Sequence, residues 1–319
     1  MPLSNGSRTP SVETPGLQDR LKPRIAVEQY FASSRRTFRK GRLRVWFGRH
    51  VKPKLLELAF KTLGLYSRGA QNALQIAVRN VTLRFPDLPS EFDGFRILHI
   101  SDLHIDEMDG LAEALSPVLR SLTADVCVMT GDYRFESIGS CEEVYPRMMR
   151  VFSNISTRHG IVGILGNHDA AEMALKFEDA GVRMLVNDAM EIRRSGASVW
   201  LIGLDDPFDY RRADLHQALS EVPAHSFKIL LVHTPELYRE AAAAGVQLYL
   251  CGHTHAGQVR LPIVGPLKKN ARVPRAYVQG DWTFLDMRGY TSWGTGCSTL
   301  PIRLNCLPEV AVIELKRRK

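Results

Sequence analysis

With 319 residues, 45% hydrophobic and 24% charged, the chain has globular composition, which excludes collagen-like and wholly disordered classes. Its net charge of +8 is uneven: 15 Lys and Arg stand against 4 Asp and Glu through residue 68, leaving 27 against 30 in the rest. No run of 18 apolar residues marks a membrane-crossing helix, and the first 30 residues lack the apolar core of a secretory signal. Five cysteines (Cys127, Cys141, Cys251, Cys297, Cys306) without a C-x-x-C pair argue against a disulfide scaffold and for a reducing compartment.

Along the chain, residues 1–24 are rich in Pro, Ser, Thr and Gly without periodicity and read as disordered. A basic segment follows, with Arg35, Arg36, Arg39, Lys40, Arg42, Arg44, Arg49, Lys52 and Lys54 interleaved with Phe38, Val45, Trp46 and Phe47. Residues 1–50 are thus expected to form a disordered basic arm. From Lys54 to about Val78 apolar residues recur near helical spacing (Leu55, Leu56, Ala59, Phe60, Leu63, Tyr66, Ala70, Ala73, Leu74, Ala77), so 51–80 is read as an amphipathic helical segment. Gly64 and Gly69 leave open two shorter helices. A basic amphipathic segment with aromatic residues either lies in a membrane interface or packs on the main domain with a basic solvent face.

After Pro86 and Pro89 the texture changes, and 81–319 reads as one large domain. Short apolar runs at 95–100, 125–130, 161–165, 199–204, 228–232 and 246–250 predict strands. Helical patterns fill 111–122, 142–155, 171–180, 213–219 and 236–243, strands and turns are expected over 276–289, and a last strand over 309–315. The alternation predicts an α/β domain with buried strands.

Polar residues follow these strands at once. The first runs into Asp102-Leu-His104, the second into Gly131-Asp132, and the third into Gly166-Asn167-His168-Asp169. Run 228–232 ends in His233, and 246–250 passes through Cys251 into Gly252-His253-Thr254-His255. Ligands of open α/β sheets bind at the carboxyl ends of strands, so five ends can converge on one site. Two carboxylates, one amide oxygen and four imidazoles among them make a hard-to-borderline set, better suited to divalent manganese, iron or zinc than to calcium. That is more than one tetrahedral ion needs. A pair of ions bridged by a carboxylate accounts for the surplus, and such pairs serve phosphate ester cleavage. Each motif alone could be turn chemistry, since Asp, Asn and His stabilise loops. All five in order, each at the end of an apolar run, carry the case.

This ordered series resembles the calcineurin-like metallophosphoesterases over about Asn80 to Leu315. The tail Gly289-Tyr-Thr-Ser-Trp-Gly-Thr-Gly296, then Leu300-Pro-Ile-Arg-Leu-Asn305 and Pro308-Glu309-Val310, is similar to the bacterial YaeI-like and YkuE-like phosphodiesterase branch. The resemblance implies a four-layer αββα sandwich of two sheets flanked by helices. It implies one metal on Asp102, His104, Asp132 and His255, and a second on Asp132, Asn167, His233 and His253, with Asp132 the bridge. It makes His168 the catalytic residue that steadies phosphate or protonates the leaving oxygen, with Asp169 orienting it, and metal-bound hydroxide the attacking group. Two departures stand out. His255 is followed by Ala256-Gly257 where Gly-Gly is usual, and Trp293 stands where relatives often have Arg, which would leave a more apolar pocket. Arg134, Trp293 and Arg303 are candidate substrate contacts, and Tyr133, Phe135 and Asp206 candidate pocket residues.

The expected function is hydrolysis of phosphodiester or pyrophosphate bonds, on a lipid-linked or nucleotide-sugar-lipid substrate such as UDP-diacylglucosamine by fold-level analogy. The N-terminal segment would meet an anionic membrane surface, placing the protein in the cytoplasm or peripherally on the inner face of the cytoplasmic membrane. No obligate protein partner is evident. A soluble cyclic-nucleotide or nucleic-acid phosphodiesterase is the alternative, its basic arm meeting phosphate backbones. An inactive scaffold should have lost ligands, and this chain keeps all seven and His168.

Overall fold

Runs of Val, Ile and Leu bounded by Gly, Pro and Asp form the strands, because such residues fit a pleated surface buried on both faces. The computed structural model describes residues 15–34, 51–262, 264–266 and 270–318. Among the described residues α1 (Leu17–Ser34), α2 (Lys52–Thr62) and α3 (Tyr66–Ala73) come first. Then follow β1 (Ala77–Phe85), β2 (Arg96–Ile100), α4 (Leu111–Arg120), β3 (Val126–Met129), α5 (Val144–Phe152), β4 (Ile161–Gly163), α6 (Ala171–Asp179) and β5 (Val182–Met184). The next stretch holds β6 (Asp188–Arg194), β7 (Ala197–Gly203), α7 (Leu215–Ala218), β8 (Phe227–Leu231), α8 (Tyr238–Ala243) and β9 (Leu248–Cys251). A small pair, β10 (Arg260–Leu261) and β11 (Gly265–Pro266), precedes β12 (Gly280–Phe284), β13 (Met287–Thr291) and β14 (Glu309–Arg317).

Two six-stranded sheets result, in the orders β1-β14-β2-β3-β4-β5 and β12-β13-β9-β8-β7-β6. The strands that lead to the polar motifs run parallel within each sheet: β2, β3 and β4 in the first, β8 and β9 in the second. Their carboxyl ends therefore point the same way. The period-two alternation of side chains sorts the core. Ile97, Val126, Val128, Val162 and Ile164 of the first sheet meet Val199, Leu201, Ile229, Leu231 and Leu250 of the second in one buried cluster. The alternate residues Leu98, Ile100, Cys127 and Met129 cluster with Leu115, Met148 and Phe177 of α4, α5 and α6. On the far side Ile202, Leu230, Val232 and Tyr249 cluster with Tyr238 and Ala241 of α8. The layers run helix, sheet, sheet, helix, the αββα sandwich expected.

The N-terminal segment differs from expectation in two places. Residues 17–34, read as part of a disordered arm, form α1, with Leu21 and Arg24 fully buried. The breaker residues thin out after Gly16, and Leu17, Leu21, Arg24 and Glu28 then recur at helical spacing on one face. The basic stretch from Arg35 to Arg49 lies outside the described residues. The segment from 51 onward does split into two helices, with Gly64 between them at φ +68°, a conformation glycine adopts freely. The helical reading ends too late, however. Ala77–Phe85 is a strand paired in parallel with β14, and its exposure alternates residue by residue until Leu83 and Phe85 are buried. Its alternation of Val81, Leu83 and Phe85 with Thr82 and Arg84 is the strand signal that helical spacing overrode. Ala77–Phe85 thus joins the first sheet as its edge strand. All five cysteines are buried free thiols. Among the described residues no helix is long and apolar enough to cross a membrane.

Candidate metal centre

The loops after β2, β3, β4, β8 and β9 meet at one end of the sandwich. Their backbones are strained: Asp102, His104, Asp132, His253 and His255 all have φ between +39° and +70°. L-residues adopt this region at a cost of order 1–2 kcal/mol each, and such conformations persist where a site requires them. The glycines beside them permit close approach. A Cβ on Gly166 would overlap the Asp132 carboxylate, and one on Gly252 would overlap Ser101 Oγ and the Asp102 carboxylate.

Two groups of ligand atoms come together: Asp102, His104 and His255 in one, Asp132, His233 and His253 in the other, within 4.8 Å inside each group. All six residues are buried. Asp132 Oδ2 lies 3.6 Å from His104 Nε2 and 3.2 Å from His233 Nε2, so one carboxylate oxygen faces both groups. Asn167 joins the second group, its Oδ1 3.0 Å from His253 Nδ1. The structure thus brings together the seven residues expected as ligands.

The tautomers show what the centre requires. His233 Nδ1 donates to Thr130 O at 2.8 Å, which turns the Nε2 lone pair inward. His253 donates from Nε2 to Asn270 O at 3.0 Å, so its Nδ1 lone pair faces in, 3.3 Å from that same His233 Nε2. Asn167 donates from Nδ2 to Asp209 Oδ2 at 3.0 Å and points its oxygen inward. His104 Nδ1 donates to Arg134 O at 2.8 Å, leaving its Nε2 lone pair 3.2 Å from His255 Nε2. Donor atoms converging at such distances need a proton or a metal cation among them. The donor set fits a pair of divalent ions.

The electrostatics agree. Burial pushes His104 down to about 4, and burial with the neighbouring His233 pushes His253 down to about 3. Both imidazoles are neutral and ready to coordinate. Burial lifts the Asp102 carboxyl to about 6, opposed by His233 and reinforced by Asp132. At Asp132 burial acts upward too, but His233, His168 and His104 outweigh it and hold the carboxyl well below its usual range. At His233 burial acts downward, and Asp132 overcomes it, raising the imidazole to about 10. A proton on His233 supplies the positive charge that Asp132 calls for, the place a metal ion would take.

His168 is half-buried beside the first group, its ring 5.0 Å from that of His104 and edge-on to it. Its Nδ1 donates to Phe135 O, leaving Nε2 as the ring nitrogen for exchange, and its backbone N–H donates to Asp132 Oδ1 at 2.9 Å. Phe135 stacks near the same ring.

Several expectations need correction. Asp169 does not orient the His168 ring. Its buried carboxylate accepts from the backbone N–H groups of Asp132, Tyr133 and Gly166 at 2.7–2.8 Å, tying two of the site's loops together. Arg134 and Arg303, read as substrate contacts, are 3% and 0% exposed. Arg134 donates to the carbonyls of His168, Gly139 and Ser137. Arg303 donates to Gly294 O at 3.0 Å and Trp293 O at 2.7 Å, and its Nη2 lies 3.3 Å from His255 Nδ1. Both guanidinium groups are engaged with backbone carbonyls of the loops around the site. Trp293 is half-buried between two guanidinium groups, Arg79 at 4.0 Å and Arg260 at 5.3 Å from its ring centre, so its surroundings are cationic rather than plainly apolar. Tyr133 is buried and donates to Ile164 O, and Asp206 caps the turn at 208–210.

Sequence reasoning missed other contributors. Asp209 fixes the Asn167 amide, Asn270 O fixes the His253 tautomer, and Phe208 packs 4.6 Å from the His253 ring. None belongs to a local motif. Arg24 was missed as well, though its place on the Leu17–Leu21–Glu28 face of α1 was a usable signal.

Two buried ion-ready groups sharing one carboxylate, at the strand ends of an αββα sandwich, define a metal-dependent phosphoesterase. The chain belongs to the calcineurin-like phosphoesterase family, whose model matches residues 95–257. It is 28% identical over 245 residues to the metallophosphoesterase YkuE of Bacillus subtilis, covering 74% of this chain and 84% of that one. It is 27% identical over 230 residues to the phosphodiesterase YaeI of Escherichia coli, covering 69% and 82%. Among solved structures it is similar to the calcineurin-like phosphoesterase YfkN of Bacillus subtilis, at a TM-score of 0.39, 13% identity and coverage of 64% of this chain and 82% of that one.

Proposed function

We propose that the chain hydrolyses a phosphodiester or pyrophosphate bond with two divalent ions, manganese first, iron or zinc as alternatives. Asp102, His104, Asp132 and His255 would hold one ion, and Asp132, Asn167, His233 and His253 the other. The observation that carries this is the convergence of inward-facing donor atoms of His104, His233, His253 and Asn167 around the shared Asp132 oxygen. When bound, such ions neutralise phosphate charge and acidify a water for attack. The chain's own residues do the rest. The carbonyls of Arg134, Thr130 and Asn270 hold the ligand tautomers, and His168, anchored through Nδ1 on Phe135 O, turns Nε2 to the leaving oxygen and, as the imidazolium, protonates it.

For the substrate we favour a lipid-linked phosphate ester at an anionic membrane surface. In support, a cavity of about 280 Å³ adjoins His255 and is walled by Leu56 and Phe60 of α2 with Val259, Leu300 and Ile302. An apolar wall beside a phosphate site suits an acyl tail. Leu55 and Leu58 of α2, with Leu63 beyond it, are exposed on the outer side, near Lys54 and Lys61. Exposed leucines beside lysines are the composition of an interfacial helix.

The test uses the manganese-loaded full chain on three substrates: an aryl phosphodiester, UDP-diacylglucosamine in anionic vesicles, and a cyclic nucleotide. Leu56→Asp is expected to lower kcat/KM at least tenfold more on the lipid than on the aryl diester. Faster turnover of the cyclic nucleotide, with the lipid untouched, would replace this reading by the soluble phosphodiesterase.

A further inference from the structure

We propose that Arg24, on a helix outside the family-matched segment, is a positioning residue for the second ion group and His168. The side chain is 0% exposed. Such burial of a charge needs compensating partners, and these show what it organises; only Nε lacks a hydrogen bond, lying 3.7 Å from Glu28 Oε1. Nη2 donates to Gly166 O at 2.6 Å and to Asp169 O at 2.8 Å, the two carbonyls that flank Asn167 and His168. One nitrogen thus clasps both ends of the Gly166–Asp169 tetrapeptide. Nη1 donates to the Asp205 carboxylate, and the guanidinium carbon lies 3.7 Å from the centre of the Tyr210 ring.

The Asp205 branch returns to the same ligand. Asp205 Oδ1 accepts from Asp206 N at 2.7 Å, and the Asp206 carboxylate accepts from the N–H groups of Phe208, Asp209 and Tyr210. That turn delivers Asp209 to the Asn167 amide and Phe208 to the His253 ring. One guanidinium therefore supports Asn167 from two sides, through its own loop and through the turn that orients its amide. Lysine cannot reproduce this, because a point-charge ammonium lacks the planar fork and the stacking face.

The bland alternative is that Arg24 merely fastens α1 to the domain. Other groups already do so: Leu21 sits in the core, Arg20 pairs with Asp188 at 2.7 Å, and Glu28 accepts from Ala171 N at 2.8 Å. A tether and a positioning residue therefore differ in what their loss changes.

The inference rests on the two-ion reading, and the experiment separates the two. Manganese binding to chelator-stripped full chain is measured by calorimetry for wild type, Arg24→Lys, Arg24→Gln and Arg20→Ala, with melting temperature and kcat for each. Two ions per wild-type chain uphold the two-ion reading, and fewer would overturn both readings. Positioning predicts that Arg24→Lys weakens the second, weaker binding step tenfold or more and lowers kcat, while the first step stays within twofold. Arg20→Ala should then lower melting temperature while leaving both steps and kcat unchanged. Should Arg24→Lys fail to fold, Arg24→Gln, which keeps two donors without the charge, takes its place. An Arg24 variant that melts lower but binds both ions and turns over like wild type would overturn the proposal.

Discussion

The centre assigns different work to residues that look alike in the chain. Asp132 lies between both ion groups, while His168 touches the site without a place in either. Asp132→Ala should therefore reduce bound manganese and activity together. His168→Ala should lower kcat about 10²- to 10⁴-fold, the range for a positioned proton donor, with ion content unchanged by elemental analysis. Away from the chemistry, His99 is fully buried in β2, its Nε2 2.9 Å from Thr130 Oγ1, and burial depresses it to about 3. Its folded value lies below the unfolded value near 6.5, so it favours the fold above pH 6.5 and loses that contribution as pH falls toward 3. The stability difference between wild type and His99→Gln, from urea melts, should shrink steadily between pH 7 and pH 4. A constant difference would mean His99 is not held neutral. At this scale the sequence named the seven residues that the structure brings together, and His168 beside them, because each sits in a motif at a strand end. It misled on Arg134 and Arg303, since a charged residue beside a motif looks the same whether it faces substrate or carbonyls. Asp209 and Asn270 were invisible because only the fold brings them near.

At the scale of elements, loop glycines and the docked helix are the exposed points of the account. Gly166→Ala would force a Cβ into the Asp132 carboxylate and should remove metal binding while the sheets remain, read by circular dichroism beside calorimetry. Leu21→Ala, in α1, should cost about 2–5 kcal/mol in denaturant melts, as truncation of a core leucine does. No change would show that α1 does not dock. The buried strands were legible because short apolar runs ended in polar motifs. β1 was not, since Ala70, Ala73 and Ala77 extend a helical spacing past the point where Val81, Leu83 and Phe85 begin to alternate. α1 was hidden by the Pro-, Ser- and Gly-rich residues just before it, and its docking depends on contacts with residues 166–210 that no local pattern encodes.

For the molecule as a whole, folding and metal binding are linked, because the lone pairs of two facing sheets are stabilised by cations that only the native state can gather. Ligands that bind only the folded chain raise its stability, by about 2.7 kcal/mol at a hundredfold excess over Kd. Chelation should accordingly lower the melting temperature of wild type and leave that of Asp132→Ala nearly unchanged. The sandwich was legible from the order of its motifs, whereas the partnership of the N-terminal helix with the centre was not. The most direct test is a manganese titration of chelator-stripped full chain, counting bound ions per chain while following hydrolysis of an aryl phosphodiester. Two ions per chain, with activity rising as the second site fills, is the expected result. Saturation at one ion, or full activity in the stripped protein, would contradict it.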